Sequence, residues 1–158
     1  MTFQIIRKNV FTHYSLLLFL VSFFTDVRSS IWSISTCFNV GIFLGFYSVP
    51  ALDSTAYRRM ALKNGWSMRV FHIGNFVLHG IPFIVSITAI PIGINWRHGV
   101  ISIILHILWT FTTEDNGLFL NKTYVSMNIH SWKILWYITF ASELLWPIFC
   151  IIIKLFLI

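Results

Sequence analysis

The sequence predicts an all-α fold, a polytopic transmembrane helix bundle of about five spans. Two observations carry that expectation. The chain repeats apolar runs separated by short polar segments, and a span needs about 20 mostly apolar residues. Composition agrees: 57% of its 158 residues are hydrophobic, 10% are charged and the mean hydropathy is +0.79. An ordinary soluble domain carries roughly 25% charged residues. A soluble fold of this size has too little interior for so much apolar surface, so lipid must act as a second solvent. The aromatic share of 18%, with 16 Phe and 7 Trp, suits side chains wedged between helices and set at membrane interfaces.

The first span is expected at Val10 to Asp26 and the second at Ile31 to Val49, ended by Pro50. A basic loop follows from Asp53 to Arg69. The third span runs from Val70 to Ile92, with Pro82 inside and Pro91 at its end, and Asn95, Arg97 and His98 make a tight turn. The fourth runs from Val100 to Thr113 and the fifth from Ile134 to Leu157. Between them Glu114 to Lys133 reads as a loop, with a half-buried turn at Leu118 to Leu120. Together residues 1–158 form one membrane domain, without a fixed-period repeat or a low-complexity tract. Arg7 and Lys8 precede an apolar run, as in a secretory signal, but Thr25-Asp26-Val27-Arg28 is a poor cleavage site, so the run is read as a retained span.

The net charge is +6, from 11 Lys and Arg against 5 Asp and Glu. The basic residues cluster between apolar runs, which fits topology rather than nucleic-acid binding. Arg7 and Lys8, then Arg58, Arg59, Lys63 and Arg69, put the N-terminus and the loop after the second span on the cytoplasmic side, in an endomembrane or the plasma membrane. The same rule puts the Asn121-Lys122-Thr123 glycosylation sequon inside. Cys37 and Cys150 lie in apolar runs, and no disulfide is expected.

Polar groups at membrane depth are costly, so each is a candidate site. Thr36 and Asn39 share a face of the second span. His72, Asn75 and His79 form a stripe on the third, the fourth carries His106, and the fifth carries Ser142 and Glu143. A bundle would turn these faces inward. For Thr36 the alternative is a hydroxyl bonded to its own helix; for Asn39 and Asn75, interhelical glue; for His106, packing; for His72, solvation near the surface. Glu143 in hydrocarbon must be neutral or paired. His72 and His79 lie roughly 10 Å apart along the axis, so they do not readily share a metal, and neither a metal nor a cofactor is expected.

Two patterns carry a resemblance. The second span reads Trp32-Ser33-Ile34-Ser35-Thr36-Cys37-Phe38-Asn39, and the third Asn75-Phe76-Val77-Leu78-His79-Gly80-Ile81-Pro82-Phe83. In this order, on consecutive spans joined by a basic loop, they resemble the androgen-induced/androgen-dependent family of multi-spanning membrane hydrolases and its bacterial relatives. The resemblance covers Trp32 to Trp109, with a looser echo at Glu143. It implies an intramembrane hydrolase of esters between fatty acids and hydroxy fatty acids, with Thr36 as nucleophile and His79 as its histidine. Asn39 and Asn75 match the polar positions beside them, and His106 and Glu143 would support the centre. The substrate would then be a membrane lipid. Two other classes stay open. One is a proton or ion carrier using His79, His106 and Glu143. The other is a structural subunit, with a membrane-protein partner or a second copy of the chain.

Overall fold

Lipid offers the backbone no hydrogen-bond partners, so a spanning segment must satisfy its own amides, and an α-helix does so within one segment. The computed structural model describes residues 18–63, 65–112 and 129–157, and these form helices joined by short turns, without strands. After a helical stretch at 18–23 come α1 (Ser30–Leu52), the short α2 (Ala56–Lys63), α3 (Met68–Thr88), α4 (Trp96–Thr112) and α5 (Ile129–Leu157). Among the described residues three helices are long and apolar enough to cross a membrane: Ser30–Leu52, Met68–Thr88 and, within α5, Lys133–Phe156; Trp96–Leu108 of α4 is a shorter apolar helix. The chain is a helical membrane protein. Of the expected first span, residues 10–17 lie outside the described residues, as do the turn at Leu118 to Leu120 and Asn121.

Several boundaries differ from expectation for identifiable reasons. Pro50 does not end α1 but sits inside its last turn. A proline withholds one amide, the one that would reach the carbonyl four residues back. That carbonyl belongs to Phe46, and it accepts instead from the Tyr57 hydroxyl of α2 at 2.7 Å. The helix continues to Leu52, and the Asp53 amide closes on Val49 O. Pro82 is met differently: Phe76–Gly80 widens into a π-turn, in which the Ile81 amide reaches back to Phe76 O. α3 then stops at Thr88, short of Ile92, before Pro91 and Gly93 with φ of 131°. α4 starts at Trp96, ahead of Val100, because Asn95 Oδ1 accepts from the Arg97 amide at 3.0 Å and closes its first turn. α5 begins at Ile129, so it takes up the end of the expected loop.

The helices alternate in direction. At one end of the bundle Trp32 Nε1 of α1 donates to Ala89 O at 3.0 Å, and Lys154 of α5 donates to Pro91 O. At the other, Phe46, Val49, Tyr57, Met60, Phe71 and Leu135 form one apolar cluster. α1 is the central helix, packed on α3, α4 and α5. Phe43 of α1 stacks on Phe83 of α3, with centroids 3.9 Å apart. Against α5 it presents glycines: a Cβ at Gly41 would lie 2.9 Å from both Glu143 Oε1 and Thr139 O. Such close approach of small residues is how helices associate in lipid.

Candidate functional site

Glu143 stands where α1, α4 and α5 meet, and its side chain is fully buried. It is held on both oxygens. Ser102 Oγ donates to Oε2 at 2.7 Å, and His106 Nδ1 shares a hydrogen bond of 2.6 Å with Oε1. Ser102 and His106 are one turn apart on α4, so both reach the same carboxyl group. The closeness of the helices depends on two features. Gly41 leaves room for the Glu143 side chain, and a Cβ at Gly99 would lie 2.6 Å from Glu143 O. That carbonyl lacks its usual helical donor because the residue four ahead is Pro147. The imidazole is enclosed by rings, with Phe38 at 4.8 Å, Trp136 at 5.3 Å and Phe140 at 5.5 Å between centroids. Carboxylate, imidazole and hydroxyl thus form a polar centre within an apolar shell, where an exchange of one proton between acid and base needs almost no movement.

The remaining candidates are distributed around this centre. The Thr36 hydroxyl donates to Ser33 O at 3.0 Å and accepts from Trp146 Nε1 at 3.3 Å. Asn39 Nδ2 donates to Ser86 Oγ at 3.2 Å and so bridges α1 and α3. Asn75 Nδ2 donates to its own helix at Phe71 O, 2.7 Å away, and Ser142 Oγ likewise to Ile138 O at 2.6 Å. His72 is exposed. His79 is buried in the π-turn, its ring 4.9 Å from that of Phe46, and its Nδ1 has no hydrogen-bond partner among the described residues.

Helix arithmetic then separates the expected pair. On α1 the neighbour of His79 is Phe46, ten residues beyond Thr36, a rise of about 15 Å. The neighbour of His106 is Phe38, about 3 Å from Thr36 along the axis. Thr36 is therefore at the depth of the Glu143–His106 pair, and His79 is deeper toward the α2 end. Ser102 and Trp146 are members of the centre that the sequence reading passed over. Both lie at helical spacing from residues it did single out, Ser102 four before His106 and Trp146 three after Glu143.

Cys37 and Cys150 are free, buried and part of one cluster with Val40, Ile94 and Trp146. Among the described residues no group of three or more His, Cys, Asp or Glu side chains is placed to hold a metal ion. Outside the spans, burial opposes ionisation of Asp53, but hydrogen bonds from Arg59 and Thr55 hold its carboxyl below the ordinary value. What this ion pair contributes is present above about pH 4 and is lost as pH falls through the lowered value. No family model matches the chain, and no curated protein or solved structure matches it.

Proposed function

We propose that the protein moves protons, or ions exchanged for protons, through a site built on Glu143, His106 and Ser102. One observation carries this reading: an acid and a base on neighbouring helices share a hydrogen bond of 2.6 Å, with side chains 0% and 3% exposed. Ionisable groups at membrane depth are expensive, and acid–base pairs facing a bundle interior mark ion and proton pathways. Ser102 supports the carboxylate on its second oxygen. The basic segment 53–69 and the N-terminus face the cytoplasm in this reading, in an endomembrane or the plasma membrane.

The test is flux. In liposomes loaded with a pH-sensitive dye, the wild-type protein is expected to dissipate an imposed pH gradient. Glu143→Gln, which keeps the shape and one accepting oxygen but loses the ionisable group, is expected to abolish the flux. A tight wild-type vesicle at every gradient would sink the proposal.

A second reading rests on a different observation: Thr36 stands at the depth of the buried His106–Glu143 pair, whose hydrogen bond would orient the imidazole as in a catalytic triad. In the hydrolase implied by the resemblance, the Thr36 hydroxyl attacks the acyl carbonyl of a membrane-lipid ester. Its proton passes through a histidine to the departing hydroxy acid, and water then releases the fatty acid. By depth, the base suited to Thr36 is then His106 rather than His79. Labelling with a lipid-like fluorophosphonate separates the readings: esterase chemistry requires label that disappears in Thr36→Ala, whereas unlabelled, folded wild type excludes Thr36 as an activated nucleophile.

A further inference from the structure

The segment joining α1 to α3 carries features that packing of the bundle does not require. Between Asp53 and Arg69 it holds Arg58, Arg59, Lys63 and Arg69 against a single acidic residue, Asp53. Its helix α2 has two faces. Ala56, Tyr57, Met60 and Ala61 are buried against the apolar cluster at the ends of α1 and α3. On the other face Arg58 is exposed, and Leu62, one turn on, is 67% exposed. The chain then turns through Gly65, with φ of 68°, and leaves Trp66, Met68 and Arg69 exposed as well. The Arg59 guanidinium is paired with Asp53 and Thr55, so among the described side chains the unpaired outward charge rests on Arg58 and Arg69.

An exposed Leu, Trp and Met flanked by exposed arginines do not suit a loop bathed in water. They are the pattern of a short amphipathic element lying in the plane of the headgroups, with apolar side chains in the acyl boundary and guanidinium groups level with the phosphates. We propose that α2 and the turn after it form a recognition surface for anionic phospholipid headgroups. Charge complementarity selects the occupant: guanidinium groups form bidentate hydrogen bonds with phosphate, and an anionic lipid adds a net negative charge that a zwitterionic one lacks. This surface is independent of the buried centre and rests on neither functional reading.

Arg97 provides an internal control. It is exposed at the opposite end of the bundle, over the ring of Trp96 at 5.9 Å, without a second arginine beside it in the turn. The test uses the full chain in phosphatidylcholine bilayers containing a trace of spin-labelled phosphatidylglycerol or spin-labelled phosphatidylcholine. The motionally restricted fraction then gives the relative association of the two lipids. The wild type is expected to favour phosphatidylglycerol by about fivefold or more at low salt, since each basic side chain near an anionic surface contributes about that factor. The preference falls as ionic strength rises. It is lost in Arg58→Gln/Arg69→Gln, retained in Arg58→Lys/Arg69→Lys, and unaffected in Arg97→Gln. Equal association of both lipids with the wild type overturns the proposal, as does an undiminished preference in the glutamine variant. Loss of preference in Arg97→Gln overturns the location. Because the substituted side chains are exposed, an unchanged thermal midpoint in detergent verifies that each variant is folded.

Discussion

Glu143→Ala is expected to destabilise the protein by on the order of 3 kcal/mol. The change strands Ser102 Oγ and His106 Nδ1, both now bonded to the lost carboxylate, in a region closed to water. It also opens a cavity against Gly41, where the side chain packs most tightly. Hydrogen bonds between membrane helices are individually modest, often below 1 kcal/mol, so most of the loss comes from stranding two partners and from the cavity. Unfolding by titrated denaturing detergent measures it. Glu143→Gln is expected to retain most of the stability, because an amide still accepts from one partner and fills the same volume. A cost for Glu143→Ala below about 1 kcal/mol would mean that Ser102 and His106 find other partners, and the pair would then not organise the bundle.

The second large effect is expected at Gly41. A methyl group there would press on the Glu143 side chain and lie 2.9 Å from the backbone oxygen of Thr139, which has no freedom to withdraw. Gly→Ala inside a helix ordinarily gains about 0.5–1 kcal/mol. Overpacking costs typically 1–3 kcal/mol, so the clash wins and Gly41→Ala loses about 2 kcal/mol. Gly74→Ala is the matched comparison, since nothing lies within 4 Å of its Cβ position; there the propensity gain alone should remain. Equal behaviour of the two alanines in the same titration would contradict the close approach of α1 and α5. If the protein transports protons as proposed, the Gly41 variant should also weaken the flux, because the displaced carboxylate is the one bonded to His106.

The spanning helices were legible because lipid imposes one solution on an apolar run: α1, α3 and α5 needed little beyond length and hydropathy. Their ends are less so, as Pro50 illustrates: sequence alone suggests a stop there. Whether Pro50 ends a helix depends on whether another donor takes the Phe46 carbonyl, and Tyr57 lies beyond any local window. Glu143 and His106 were each visible as polar groups at depth, but not their pairing. Register between α4 and α5 decides it, and no periodicity within either helix contains that register. For Thr36 and His79, motif order on consecutive spans says nothing about height. An antiparallel neighbour reverses the count, so residues at similar distances from opposite ends can stand a long way apart. Ser102 was accessible in principle, because a hydroxyl one turn before a buried histidine shares its face.

The hydroxyl of Tyr57 on the proline-freed carbonyl has a mechanical consequence. The Phe46 ring stacks with that of Tyr57 at 4.9 Å and also lies 4.9 Å from that of His79. The loop helix is therefore clamped to the lever on which His79 leans, rather than hanging on slack chain. Anything that tugs α2 along the membrane plane must shift Phe46 or break the clamp. Conversely, any shift of α1 at Phe46 is transmitted through the same two contacts to Tyr57 and so to α2.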